Sequence, residues 1–149
     1  MEAVELHPDF KDLLRLLNSH RVRYLVVGGY AVGYYGYPRA TGDMDIWVAI
    51  SEENAEQIAH ALRAFGMPEK ETTKTLFMEK NKIIRMGVPP VRIEVITSAS
   101  GLDFDECYSR REIVKVEDID INFISLEDLK TNKKAAGRHK DLEDIEHLP

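Results

Sequence analysis

Two alternating apolar strands with a helical stripe between them predict an α/β (α+β) chain: a mixed β-sheet flanked by helices, ending in a short helical C-terminus. Met44, Ile46, Val48 and Ile50 alternate with Asp43, Asp45, Trp47 and Ala49, the period of a strand with one apolar face. Ala55, Ile58, Leu62 and Phe65 then recur at helical spacing, between Ser51 as N-cap and Gly66 as C-terminal stop. Val91, Ile93 and Val95 alternate with Arg92, Glu94 and Ile96 in a later strand.

The remaining elements fall around these. Phe10, Leu13, Leu14 and Leu17 predict an amphipathic first helix, with Pro8 tolerated near its start. Residues 22–27 form a buried strand that runs into Gly28-Gly29, and residues 30–36 a short helix closed by Pro38. Further strands are expected over 72–79, 82–86 and 91–97. After Gly101, a short helix over 103–110 and one or two short strands within 112–124 are expected. Ser125-Leu126-Glu127-Asp128 reads as a capping box opening a helix that Gly137 ends. A last helix from about Lys140 is expected to pack Leu142, Ile145 and Leu148. With no linker, repeat or low-complexity segment in view, residues 1–149 read as one domain, with a core over about 22–124 and a helical segment over 125–149.

Composition excludes several classes. The 149 residues are 44% hydrophobic and 31% charged, ordinary for a globular chain with a core of useful size. A formal charge of -6 argues against a whole-surface nucleic-acid binder but leaves room for a local basic groove. Cys107 stands alone, so an internal disulfide is ruled out and a reducing compartment fits. The first residues lack the basic start and apolar run of a signal peptide. The longest uncharged stretch, Tyr24 to Pro38, carries four glycines and is too short to span a bilayer. The expectation is a soluble, cytoplasmic protein without a membrane partner.

The chemistry gathers at two places. Gly28-Gly29 end a strand where a helix begins, and after thirteen intervening residues Asp43-Met44-Asp45 open the next strand. A helix start offers unpaired N–H groups to a phosphate, and glycine lets it approach closely. Carboxylates two residues apart on a strand project to one side, roughly 6.5 to 7 Å apart, and suit hard cations. Glu94 is a third carboxylate, set mid-strand. It serves either as a further ligand of a two-metal site or as the partner of Arg85 or Arg92. Oxygen ligands alone point to Mg²⁺ or Mn²⁺, one or two ions. The second place is the basic run Lys130, Lys133, Lys134, Arg138 and Lys140. Lys133 shares the inward stripe of Leu126, Leu129 and Ala136, so its ammonium either snorkels out or meets an anion. Lys133, Arg138 and Lys140 are candidates for holding a triphosphate. Tyr30 lies close enough to the glycines to touch a nucleotide. The five histidines show no zinc spacing, and neither a P-loop nor a Rossmann motif is present.

Gly28-Gly29, Asp43/Asp45 and Glu94, in this order and spacing, resemble the DNA polymerase β-type nucleotidyltransferase superfamily. Arg39-Ala40-Thr41-Gly42-Asp43-Met44-Asp45, with Asn132-Lys133, Gly137 to Leu142 and Asp144-Ile145, is most similar to its small stand-alone members, the abortive-infection AbiE-type toxins and their relatives. The resemblance covers roughly Val22 to Leu148. It implies transfer of NMP from an NTP to an acceptor hydroxyl with release of pyrophosphate. Asp43, Asp45 and Glu94 would be the metal ligands and catalytic acids. Gly28, Gly29, Tyr30, Lys133, Arg138 and Lys140 would bind nucleotide, with Arg39 and Thr41 supporting the metal loop. The implied acceptor is tRNA, protein or a small alcohol, and the implied biological setting a toxin with an antitoxin partner. The alternative is a catalytically silent nucleotide-binding or antitoxin-like regulatory module on the same fold.

Overall fold

The computed structural model describes residues 6–37, 43–88 and 91–149. Its centre is a six-stranded mixed sheet in the order β3-β4-β2-β1-β6-β5. The strands are β1 (Tyr24–Val27), β2 (Asp43–Val48), β3 (Ile83–Met86), β4 (Arg92–Ile96), β5 (Glu112–Val116) and β6 (Ile119–Phe123). β2 runs antiparallel to β1 and parallel to β4, β1 runs parallel to β6, and the outer pairs β3–β4 and β5–β6 are antiparallel. The helices are α1 (Pro8–Ser19), α2 (Gly28–Tyr34), α3 (Glu52–Phe65), α4 (Phe104–Ser109), α5 (Leu126–Ala136) and α6 (His139–His147).

Register decides what each face of the sheet does. Tyr24 and Val26 pair with Val48 and Ile46, and these residues are fully buried. The Tyr24 hydroxyl donates to Asn18 of α1 at 3.1 Å, which places α1 over this face. Phe10, Leu13, Leu14 and Leu17 of α1 are completely buried, each contributing roughly 1.5–3 kcal/mol of apolar burial. The opposite face carries a row that crosses four strands in register: Val27, Asp45, Glu94 and Arg85. Beside it lie Asp43 opposite Arg92 and Trp47 opposite Ile96. Phe104 of α4 stands edge-on to Trp47 on this face, ring centroids 5.0 Å apart.

Local devices hold the strands at these positions. Ser51 Oγ accepts from the Asn54 N–H at 3.1 Å, and Gly66 closes α3 in the left-handed conformation. The buried Asn54 side chain accepts from Arg23 N–H at 2.7 Å and donates to the carbonyls of Arg23 and Ala49. One amide thereby ties the start of β1 and the end of β2 to α3. Among the described residues, no helix is long and apolar enough to cross a membrane.

Three local expectations are corrected. Residues 72–79 are not a strand but end one 3₁₀ turn, Glu69–Glu71, and hold a second, Lys74–Met78. Thr72 accounts for it: Oγ1 donates to the Pro68 carbonyl and accepts from Arg63 Nε, folding the chain back onto α3. The capping box at Ser125 is half made. Ser125 Oγ accepts from the Asp128 N–H, whereas the Asp128 carboxylate turns to Arg110, with two contacts of 3.0 Å. In α6, Leu142 is exposed, and the buried positions of the helix are Asp141 and Asp144, with Leu148 just beyond its end. The stripe has moved by one residue because α6 turns its acids, not its leucine, toward Lys133.

Candidate active site

A cleft of about 550 Å³ opens where the first residues of α2, the start of β2 and the second half of β4 meet α5 and α6. Gly28, Gly29, Asp43, Asp45 and Glu94 line one wall. Asn132, Lys133, Arg138 and Lys140 line the other, with Asn81, Lys82, Ser98 and Ser100 at the rim. The fold thus brings eight of the sequence-predicted residues to one concavity. A larger hollow of about 670 Å³, lined by α1 and β6 residues such as Arg15, Asn18 and Asp120, contains none of them.

Gly28 is fixed by two constraints. Its φ of +66° is a left-handed conformation that glycine tolerates, and a Cβ at this position would stand 2.1 Å from Oδ2 of Asp45. The missing side chain is therefore the space into which the Asp45 carboxyl fits.

Each carboxylate has a distinct electrostatic setting. Asp43 receives a two-pronged contact from Arg92, Nε to Oδ1 at 2.8 Å and Nη2 to Oδ2 at 2.9 Å. This hydrogen bonding holds its carboxyl below the usual range. Glu94 accepts from Arg85 Nε at 2.5 Å, which realises the salt-bridge option for this residue. Asp45 is pushed up to about 7, first by burial, then by its hydrogen bond with Glu94 and the charges of Glu94 and Asp43. Lys133 opposes that rise. Among the described residues, no group of three or more His, Cys, Asp or Glu side chains is arranged to hold a metal ion. The donor set itself is hard oxygen throughout, and two of its members, Asp45 and Glu94, face each other across β2 and β4. The chemistry of the donors fits Mg²⁺ or Mn²⁺; Asp43 and Glu94 at present meet guanidinium groups.

The opposite wall is built on an ion network. Lys133 is buried, as its place on the inward stripe predicts, and its ammonium lies 3.2 Å from Asp141 and 3.1 Å from Asp144. Arg138 Nε donates to Asp141 at 2.7 Å, and the Arg138 N–H also donates to that carboxylate, capping α6. Burial would raise the Asp141 carboxyl, but Arg138 and Lys133 outweigh it and hold the group below its usual range. Lys140 is exposed and contributes positive potential at Asp43.

Two candidates stand elsewhere. Tyr30 does not line the cleft: its ring packs edge-on against Phe10 of α1, centroids 5.5 Å apart, because it projects from the side of α2 that faces α1. Arg39 and Thr41 lie outside the described residues. Lys82, Asn81 and Ser98 were not signalled by any spacing. They enter the cleft because the residues just before β3 pair with those just after β4, with Asn81 N–H donating to Ser98 Oγ at 3.0 Å.

No protein-family model matches the sequence, and no curated protein matches it. Solved structures do match. One is a crystal structure from Thermotoga maritima named as a candidate nucleotidyltransferase, with a TM-score of 0.63 at 16% identity, covering 95% of this chain and 93% of the other. The chain has a nucleotidyltransferase-like fold. An antigenic nucleotidyltransferase-like protein from Paracoccidioides brasiliensis shares that fold, with a TM-score of 0.53 at 18% identity over 91% of this chain and 71% of its own. At such identities the likeness concerns the nucleotidyltransferase-like fold alone, so function has to be argued from the cleft.

Proposed function

We propose that the chain is a metal-dependent nucleotidyltransferase that moves NMP from an NTP to an acceptor hydroxyl and releases pyrophosphate. One observation carries the reading. Asp45 and Glu94 face each other in a cleft, with Gly28 making room for Asp45 and cationic side chains on the opposite wall. The nucleotidyltransferase-like fold supports it at the level of architecture.

Asp43, Asp45 and Glu94 would hold the ions. Two bound Mg²⁺ or Mn²⁺ would offset triphosphate charge and lower the pKa of the acceptor hydroxyl. The glycine backbone at Gly28-Gly29 lets phosphate oxygens approach closely, and Arg138 and Lys140 balance their charge from the far wall. The acceptor oxygen attacks the α-phosphorus in line, its bond to phosphorus forming as the bond to pyrophosphate breaks. With the cations bound Asp45 would be ionised, and Glu94 would receive the hydroxyl proton. The proposed setting is the cytoplasm, with tRNA, a protein or a small alcohol as acceptor. An AbiE-like toxin role, held in check by an antitoxin protein, is the biological form of this proposal.

Arg92 on Asp43 and Arg85 on Glu94 are the observation that favours a second reading, a silent nucleotide-binding or antitoxin-like module. A single screen separates the two. Each α-labelled NTP is incubated with tRNA, total protein and small alcohols, with Mg²⁺ or EDTA. Label transfer that needs Mg²⁺ is expected. Mg²⁺-dependent NTP binding without transfer to any acceptor would establish the silent module instead.

A further inference from the structure

We propose that Arg92 and Arg85 are resident counter-ions of the acidic cluster, holding Asp43 and Glu94 in the places divalent cations later take. The inference rests on the metal-dependent reading above and adds a competition built into the sheet.

The arrangement is a checkerboard fixed by strand register. Arg92 lies directly across from Asp43, and Arg85 directly across from Glu94, on the face that carries Asp45. Arg92 engages both oxygens of Asp43, the geometry in which a guanidinium binds a carboxylate most strongly. Neither arginine lines the cleft, whereas all three carboxylates do. The guanidinium groups therefore reach the acids from outside the cavity, and a cation entering the cleft meets oxygens already engaged. A carboxylate oxygen has a second lone pair, so ligand and arginine can share it in geometry. They cannot share it without repulsion, since a divalent ion and a guanidinium on one carboxylate are like charges at close range.

The two contacts differ in strength. Arg92 is 34% exposed and bidentate, while Arg85 is 57% exposed and its contact is more open to water and salt. Arg92 is thus the stronger competitor, and Arg85 the one that yields first. A neutral residue at position 92 exposes like charges to one another in the absence of metal and raises their affinity for a cation. An arginine that merely orients a metal ligand does the opposite, since losing such support weakens metal binding.

The test is Mn²⁺ binding to the whole chain, without nucleotide, followed by electron paramagnetic resonance of the free ion. Arg92→Gln is expected to bind Mn²⁺ about 10-fold more tightly than wild type, and Arg85→Gln to show a smaller gain. Arg92→Lys keeps a charge but loses the fork. It should fall between wild type and Arg92→Gln, and it serves in its place should the glutamine variant fail to fold. Unchanged affinity in Arg92→Gln overturns the proposal, and weaker affinity shows that Arg92 orients Asp43 for the ion. Asp45→Asn distinguishes the two levels. If it binds Mn²⁺ as well as wild type, the metal site itself is misassigned, whereas lost binding there with no gain in Arg92→Gln removes only the competition.

Discussion

Asp45 on β2 and Glu94 on β4 are register partners, and burial together with the neighbouring Glu94 raises the Asp45 carboxyl. Burial and a nearby carboxylate both disfavour the charged form, so Asp45 keeps its proton where an isolated aspartate has lost it.

Stability should therefore depend on pH with a definite sign. Asp45 is raised from 3.8 to about 7, so the folded chain binds this proton more tightly than the unfolded one. The associated stability is fully present below the ordinary value and is lost as pH rises through about 7. In EDTA, the melting temperature of wild type should fall between pH 5 and 8. Asp45→Asn should flatten that fall and melt higher than wild type at pH 8, by roughly 2–4 °C for each kcal/mol recovered. Parallel pH profiles for the two proteins would dismiss the raised Asp45 carboxyl.

The same substitution should remove activity. Asp45→Asn and Glu94→Gln are each expected to lower NMP transfer by on the order of 10²-fold or more, the scale of losing one electrostatic group that acts in the transition state. Label transfer at saturating NTP is the measurement, with circular dichroism confirming the fold. Activity within a few-fold of wild type would return Glu94 to the role of a salt-bridge partner for Arg85.

Gly28→Ala tests the fit of Asp45. The new methyl would collide with Oδ2 of Asp45 and force a residue with a side chain into a left-handed conformation, the latter costing roughly 1–2 kcal/mol. Mg²⁺-dependent NTP binding, followed by titration calorimetry, should weaken at least as much as stability. Full binding with only a small drop in melting temperature would show that Asp45 can move aside without consequence.

Lys133→Ala and Arg138→Ala should separate sharply in urea unfolding. Removing Lys133 takes the ammonium from between Asp141 and Asp144, which are 0% and 2% exposed, and breaking a buried ion pair costs about 3–5 kcal/mol. Arg138 is 63% exposed on its side chain, so its loss should cost about 1 kcal/mol or less. Equal midpoints for the two variants would contradict the network.

Strand and cap chemistry were legible in the sequence because they are local. The alternation over 43–50 corresponds to β2, and the Ser51 and Gly66 signals bound α3 at the residues they name. The alternation around Glu94 likewise marks β4, though not which strands flank it. What stayed hidden depends on partners far along the chain. Thr72 sits in a turn because Arg63, nine residues earlier, bonds it, and no period in 72–79 reports that. Leu142 is exposed because Lys133 draws Asp141 and Asp144 inward from the next helix, a preference for charge pairing that a hydrophobic stripe cannot express. Nearness to the glycines in sequence points Tyr30 at a nucleotide, yet the direction a side chain takes from a short helix is set by what packs there, here Phe10.

β3 is four residues long and, among the described residues, is bonded on one side only, to β4, so Arg85 belongs to an edge while Asp45 and Glu94 sit on inner strands. Substitutions at the edge face water and leave the packing of the sheet intact. The charge balance of the cleft is thus open to change at a position nearly free of folding constraint. Variants of this chain differing at residue 85 alone would form a graded series in cation demand on one unaltered scaffold.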